Sequence, residues 1–418
     1  MTRETLFQSG IERPSDRLVY RCGVRPIDTG ERRARLARRH HLATGSRAAG
    51  PVEVAADLVG LHGTDPASVY LSIVARMAPG DPGAEPDAIG RALYDERTIV
   101  RMLGMRRTMF VEPVELVPVV HAACSFANAA QQRRATLRML AEAGVDEYPE
   151  RWLAEVEIEA LEAIARRGEA TAKELSEDVP RFREQIPVGE GKKWQGTIGM
   201  STRVLFGLAA EGRIVRARPR GSWISSQYAW TTTESWLSGG LVEMPADAAR
   251  VELIRRWLRA FGPGTIADIK WWTGWTVAET KHALGELGAV EVELDSGTGF
   301  VLPGDLEPTA EAGPWAAFLP ALDPTVMGWA GRDWYLGEHR PVLFDTNGNA
   351  GPTIWWDGHV VGGWAQRRDG EIVSRLLEDI GAAGRTAVEI EAGRLGHWLG
   401  PVRITPRFRT PLEQELGA

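Results

Sequence analysis

The stretch Leu58-Val-Gly-Leu-His-Gly-Thr-Asp-Pro-Ala-Ser68 constrains the fold more than any other part of the chain. It joins two apolar runs. Val54, Leu58 and Leu61 fall at helical spacing before it, and Val69, Leu71, Ile73 and Val74 load the run after it. Gly63 suits the residue that ends a helix, because glycine enters the left-handed region without a Cβ penalty. Asp65 followed by Pro66 is a helix start: an acid that caps free N–H groups, then a residue whose φ is already helical. The spacing therefore predicts a tight helix-to-helix corner carrying His62, Thr64 and Asp65. In one reading these residues only cap helices, with Asp65 as N-cap, Thr64 as a turn hydroxyl and His62 favoured by the helix dipole. In the other, His62 activates or orients a water. Its ordinary pKa of about 6.5 suits a base near neutrality, and a helix C-terminus would raise it.

Around this corner one order of elements recurs. Residues 28–42 read as a basic helix and 87–95 as a short one. Residues 98–111 read as a β-hairpin, because apolar residues and Arg alternate on either side of Gly104. Helices followed by a two-stranded hairpin are the order of a winged helix. The order returns with helical residues 114–143, a long amphipathic helix at 150–167 and the capping box Thr171-Ala-Lys-Glu174. A helix at 197–211 and strands at 214–218 and 223–230 complete that unit. A third pass has a helix at 246–260, a turn at Gly262-Pro-Gly264, the capping box Thr276-Val-Ala-Glu279 and strands at 290–294 and 299–302. The three units share element order but no readable sequence repeat. From about residue 313 short strands and turns take over. Asp357-Gly358 marks a hairpin within 353–366, and Arg368-Asp-Gly370 marks a second turn. A helix at 371–383 and a strand at 386–392 are expected to finish a β-rich or barrel-like domain. The expected class is α+β. An irregular arm at 1–27 precedes three tandem winged-helix domains at 28–113, 114–240 and 241–312, and the β-rich domain covers 313–418.

Composition narrows the function. At 418 residues with 44% hydrophobic and 25% charged residues, the chain is an ordinary globular protein with room for several domains. It has no apolar run long enough to span a bilayer and no secretory h-region, so a cytoplasmic, nucleoid-associated protein is expected, with no membrane partner. Cys22 and Cys124 stand alone, and the eight His residues show no ligand spacing, so neither a metal nor a cofactor is expected. His40 and His41 read as surface or cleft lining. A net charge of −7 and a pI of about 5.8 exclude indiscriminate nucleic-acid coating, which goes with a pI above about 9. The charge is uneven, however. Arg97, Arg101, Arg106 and Arg107 cluster without an acid at 97–107, as do Arg213, Arg216, Arg218 and Arg220 at 213–220. Such a local basic face fits a specific DNA contact, or simply a solubilised surface.

Familiar catalytic motifs are absent: no phosphate-binding loop, no nucleophile elbow and no His-Glu-x-x-His. The remaining candidates are His62, Thr64 and Asp65 for chemistry. Arg101, Arg106, Arg107, Arg203, Arg218, Arg220, Lys192 and Lys193 are candidates for phosphates, and Trp223 for insertion into a groove from the hairpin tip. Asp323 and His359 are the only support for a small-molecule site in the C-terminal part.

Four segments carry a family resemblance over about residues 30–410: Val59-Gly-Leu-His-Gly-Thr-Asp-Pro66, Val100-Arg-Met-Leu-Gly-Met-Arg-Arg-Thr-Met-Phe110, Leu319-Pro-Ala-Leu-Asp-Pro324 and Trp356-Asp-Gly-His-Val-Val-Gly-Gly-Trp364. With these the chain resembles the winged-helix DNA glycosylases that include the azinomycin-resistance glycosylase and bacterial crosslink-repair enzymes. The resemblance implies three winged helices and a C-terminal β domain around a concave DNA-binding surface. It implies an enzyme that hydrolyses the N-glycosidic bond of N7-alkylated or bulky-adducted purines in double-stranded DNA, in repair or antibiotic self-resistance; a monomer is expected. Members carry Gln-apolar-Gln or Gln-apolar-Asp on the corner, so His62 stands at the first polar position and Thr64 at the second. Histidine keeps a water-orienting group, whereas Thr64 holds a water but is no base. The alternative is a winged-helix protein that binds DNA without catalysis, as a transcription factor or a shield over damage.

Overall fold

The first helix of the corner stops earlier than its apolar spacing predicts. It spans Pro51–Asp57. The N–H groups of Val59 and Gly60 then turn back to the carbonyls of Ala56 and Ala55 at 3.1 and 2.8 Å. This pair of bonds is a Schellman cap, and Val59 and Gly60 both take positive φ, 53° and 91°. For a β-branched residue that conformation costs about 1–2 kcal/mol. Gly60, not Gly63, is therefore the glycine that ends the helix. Leu61–His62 is a short strand, antiparallel to Met109–Pro113, with His62 opposite Phe110. Backbone groups that a longer helix would have used go instead to a ladder, and the Gly63 N–H donates to the Met109 carbonyl at 2.7 Å. The helix after the corner, Pro66–Val74, starts where Asp65-Pro66 places it and is buried along its whole length.

The computed structural model describes residues 24–188 and 195–418. Most of the expected N-terminal arm, with Cys22, and the Lys192-Lys193 pair lie outside the described residues. Mixed helix and sheet give an α+β fold. The hairpin Ile99–Leu103 and Met109–Pro113 turns through Met105–Arg107, where Arg106 and Arg107 have positive φ. It does not stand alone. Arg101 pairs with Arg216, so the strands Ile214–Pro219 and Tyr228–Thr232 join it. Together with Leu61–His62 and Ala170–Thr171 they make one six-stranded sheet.

Several expected elements move. The return strand of the second hairpin begins at Tyr228 rather than Trp223. Trp223 leaves the sheet and packs against Tyr70, tilted at 4.7 Å, and edge-to-face with Trp398 at 5.6 Å, so it is packed inward rather than free to enter a groove. Gly196–Gly199 pairs with Gln185–Val188 as a small hairpin, and the helix expected from 197 starts at Met200. In the C-terminal part the expected helix and strand exchange places: Ile372–Leu376 is a strand and Gly381–Leu399 a helix. Residues 372–376 pair along their length with Gly362–Gln366, while Val388, Leu395 and Leu399 are buried at helical spacing. The four strands Ala316–Leu319, Thr353–Trp356, His359–Gln366 and Ile372–Leu376 form an open antiparallel sheet, so the described residues close no barrel here.

A buried ion pair ties the corner helix to this C-terminal sheet. Arg76 meets Asp323 at 2.7 Å with neither side chain exposed, and Ser72 and Thr325 complete the bonding. His40 joins through Thr325 at 2.8 Å and is fully buried, not on the surface as its sequence context predicts. His41 is buried as well, between Asp57 and the Ser46 carbonyl. Among the described residues no helix is long and apolar enough to cross a membrane.

Glu112 is a buried charge outside this pairing. It lies on the strand opposite Val100, is 0% exposed, and neither carboxyl oxygen has a hydrogen-bond partner. Burial pushes its carboxyl well above the usual range. An acid with a raised folded pKa lowers stability as pH rises above its unfolded value, about 4.3. Glu112→Met is therefore expected to stabilise the fold by about 1–3 kcal/mol, the typical penalty of an unpaired buried polar group. Thermal melts at pH 5 and pH 8 check this: the gain in Tm should be larger at pH 8, and equal or lower Tm at both pH values would show that the carboxyl has a partner.

Candidate active site

His62 ends the short strand Leu61–His62, and Thr64 follows two residues on, at a bend. His62 is 8% exposed, and its ring packs 5.2 Å from that of Phe110. Its Nδ1 is buried with no hydrogen-bond partner, and so is the Oγ1 of Thr64. Buried polar atoms are nearly always satisfied, so two unpaired ones on one corner call for a polar guest such as a water or a substrate group. Burial, then the nearby Arg106 guanidinium, pushes the His62 pKa down to about 3. This reverses the rise expected from a helix end, because no helix ends at His62. The imidazole is neutral at physiological pH, with one donor and one acceptor nitrogen. Such a group orients water well and is a weak base.

Asp65 is engaged on both oxygens. Oδ1 accepts from the N–H groups of Ala67 at 3.0 Å and Ser68 at 3.4 Å, and Oδ2 accepts from the Arg407 N–H at 2.8 Å. Burial raises its pKa, against these backbone bonds and the charge of Arg101. Its role in this arrangement is to cap the helix Pro66–Val74 and to hold the C-terminal segment against the corner.

The arginines fall into distinct settings. Arg106 lies 4.1 Å from the centre of the Trp271 ring, and Arg332 lies 4.5 Å from the same centre. Burial, then Arg332, pushes Arg106 down to about 10. Arg107 is exposed at the hairpin turn. Arg216 sits between Tyr228 at 4.8 Å and Trp230 at 5.0 Å, lowered to about 10 by burial and then by Arg101. Beside it an opening of about 450 Å³ is lined by Thr171, Lys173, Ser226 and Gln227. Arg218 and Arg220 are exposed at the second hairpin but meet Asp95 at 2.8 Å and Glu174 at 3.6 Å. Arg203 is half-buried on the helix Met200–Ala210. Arg101 is only 1% exposed, which corrects its expected place on the DNA-facing surface.

Sequence reading missed Arg332, Trp271, Tyr228 and Arg407. Arg216 was visible in a basic strand but was not singled out. Arg407 gave no local signal: only its backbone bond to Asp65 shows that it borders the corner. Asp323 and His359 do not share a site, since Asp323 is fully buried against Arg76 and His359 pairs with Glu378 at 2.8 Å. His41, Glu53 and Asp57 bring ligand-type atoms within 4.8 Å of one another, and the His41–Asp57 hydrogen bond accounts for the grouping.

A family model described as DNA glycosylase AlkZ-like matches residues 55–398, which include the corner and both strands of each hairpin in the six-stranded sheet. The chain belongs to the AlkZ-like DNA glycosylase family. It is thus a DNA glycosylase with a role in DNA repair, and DNA is its substrate. The non-catalytic alternative falls behind on that ground. Among solved structures the fold is similar to the Streptomyces sahachiroi DNA glycosylase AlkZ, with a TM-score of 0.69 at 20% identity, covering 91% of this chain and 98% of that one. No curated protein matches the chain in sequence.

Neutral His62 has a direct signature. Its ring nitrogens should keep their neutral chemical shifts from pH 8 down to about pH 4, as followed by nitrogen-15 NMR with His62→Gln for assignment. A midpoint near the ordinary value of about 6.5 would show that the ring is solvated and free of Arg106.

Proposed function

We propose that the corner positions the water that releases N7-alkylated or bulky-adducted purines from double-stranded DNA. The observation that carries this is the pair of buried, unpaired polar atoms, His62 Nδ1 and Thr64 Oγ1, two residues apart on the corner. The chemistry asks for little more. Alkylation at N7 makes the purine cationic, so the C1′–N9 bond breaks with its electron pair leaving on the base, and no acid is needed. A water oxygen then bonds to the oxocarbenium-like C1′, and its proton passes to solvent. The products are the free alkylated base and an abasic sugar. A neutral imidazole and a hydroxyl suffice to hold that water, as preorganised dipoles do for other cationic transition states.

Arg106, Arg107, Arg216, Arg218, Arg220 and Arg407 supply positive charge around the corner for the phosphates, and Arg203 and the Lys192-Lys193 pair are further candidates. One copy of the chain acts alone in this reading, inside the cell where the DNA is. The likeness to AlkZ in fold agrees with it, and His62 and Thr64 occupy the polar positions of the family's corner.

Single-turnover release of base from duplex containing N7-methylguanine, and from duplex carrying a bulky N7 adduct, tests the proposal. His62→Ala should lower release about a hundredfold, and Thr64→Val about tenfold, with duplex affinity within about twofold of the parent. Retained release in His62→Ala would remove the corner from the chemistry.

A further inference from the structure

Arg101 was expected among the residues that grip DNA, yet the fold buries it behind the corner. We propose that Arg101 is a positioning residue: its guanidinium clamps the Gly63 carbonyl and thereby fixes the geometry of His62 and Thr64. This rests on the reading of the corner given above and says what holds that corner in place.

The argument starts with the peptide between the two functional side chains. Gly63 gives its N–H to the Met109 carbonyl at 2.7 Å, and its own carbonyl accepts from Nη1 of Arg101. With both polar groups of Gly63 pinned, the relative orientation of its neighbours His62 and Thr64 is set. A Cβ on Gly63 would meet the Met109 carbonyl at 3.2 Å and Nη1 of Arg101 at 3.3 Å, so the clamp closes onto a backbone without a side chain.

Arg101 reaches the corner from the sheet. It lies on the strand Ile99–Leu103, opposite Val111, while Leu61 is paired with Val111 from the other side. The arginine therefore approaches from within the sheet that carries His62, not from the solvent face. Its Nε and Nη2 have no hydrogen-bond partner, and among the described residues no carboxylate forms an ion pair with it. Its guanidinium carbon lies 4.7 Å from the centre of the Tyr228 ring. Burial works against its charge, and the phenols of Tyr228, Tyr94 and Tyr70 work the other way. An arginine held for stability alone would normally have an acid beside it, because a buried charge without one is costly. What this one has is a directed bond to the Gly63 carbonyl, with the Tyr94 phenol as a further polar neighbour. Charge on Arg101 also acts on Asp65, whose carboxylate caps the next helix, so one side chain supports both ends of the corner.

The alternatives give different readouts. Arg101→Lys, Arg101→Gln and Gly63→Ala are compared with the parent in single-turnover release from N7-methylguanine duplex, equilibrium duplex binding over a salt series, and thermal melting. Positioning predicts a release rate at least about tenfold lower in all three, since a small misplacement of reacting groups is expensive. Duplex affinity and its salt slope should stay at the parent values, with Arg101→Lys retaining more rate than Arg101→Gln. A salt slope that falls by about one unit in the Arg101 variants would make the residue a phosphate contact and overturn the proposal. A release rate at the parent value in the folded variants, with only Tm reduced, would make it a purely structural residue and overturn it as well. His62→Ala separates this claim from the one beneath it. If His62→Ala loses release while the Arg101 and Gly63 variants keep it, only the clamp fails. If His62→Ala keeps release, the corner itself fails.

Discussion

Gly63 donates its N–H to the carbonyl of Met109 and offers its own carbonyl to Arg101. The positions of the candidate site follow from that arrangement. Because the N–H goes to a neighbouring strand, the chain leaves the helix at Val59 and Gly60 and crosses the corner extended. His62 is the last residue of the short strand Leu61–His62, and Thr64 follows it at a bend. Because the ladder buries them, their polar atoms are left without protein partners, and the His62 ring stays neutral. A helical corner, with His62 on a helix end, would have favoured a charged ring.

Electrostatics around the corner show the same division of labour. The chain as a whole is acidic, at −7, yet Arg101, Arg106 and Arg407 border the corner, with Arg216 and Arg332 beside these guanidiniums. Aromatic rings take the place that carboxylates usually hold. Trp271 lies against two of these guanidiniums and Tyr228 against two others. A ring stabilises a cation without neutralising it. The site therefore keeps its positive charge, and Asp65, the acid in its midst, is bound to three backbone N–H groups.

Local signals in the sequence carried much of the fold. The Asp65-Pro66 start, the capping boxes at Thr171 and Thr276, the turn at Gly104 and the Asp357-Gly358 hairpin all reflect interactions within a few residues, and each is present. What was illegible depends on partners far along the chain. A two-residue strand at Leu61–His62 shows no alternation, and its mate lies nearly fifty positions later. The joining of two hairpins through Arg101 and Arg216 has no local trace at all. The same holds for the burial of Arg101, which looks like any surface arginine in a basic hairpin. At 372–376 the mixed run Ile-Val-Ser-Arg-Leu carries neither period clearly, and pairing with Gly362–Gln366 imposes strand where helix is expected. At the site, residue identity pointed to His62 and Thr64, but the state of the histidine followed from tertiary burial.

The claim that the corner holds the attacking water is most directly tested by a crystal structure of the protein with duplex DNA carrying a cationic aza-sugar in place of the damaged nucleoside. The expected result is the sugar ring over the corner, with one ordered water within about 3–3.5 Å of its C1′ position and bonded to His62 and Thr64. A structure in which the aza-sugar lies against another face of the protein, or in which side chains other than these hold the water, would contradict it.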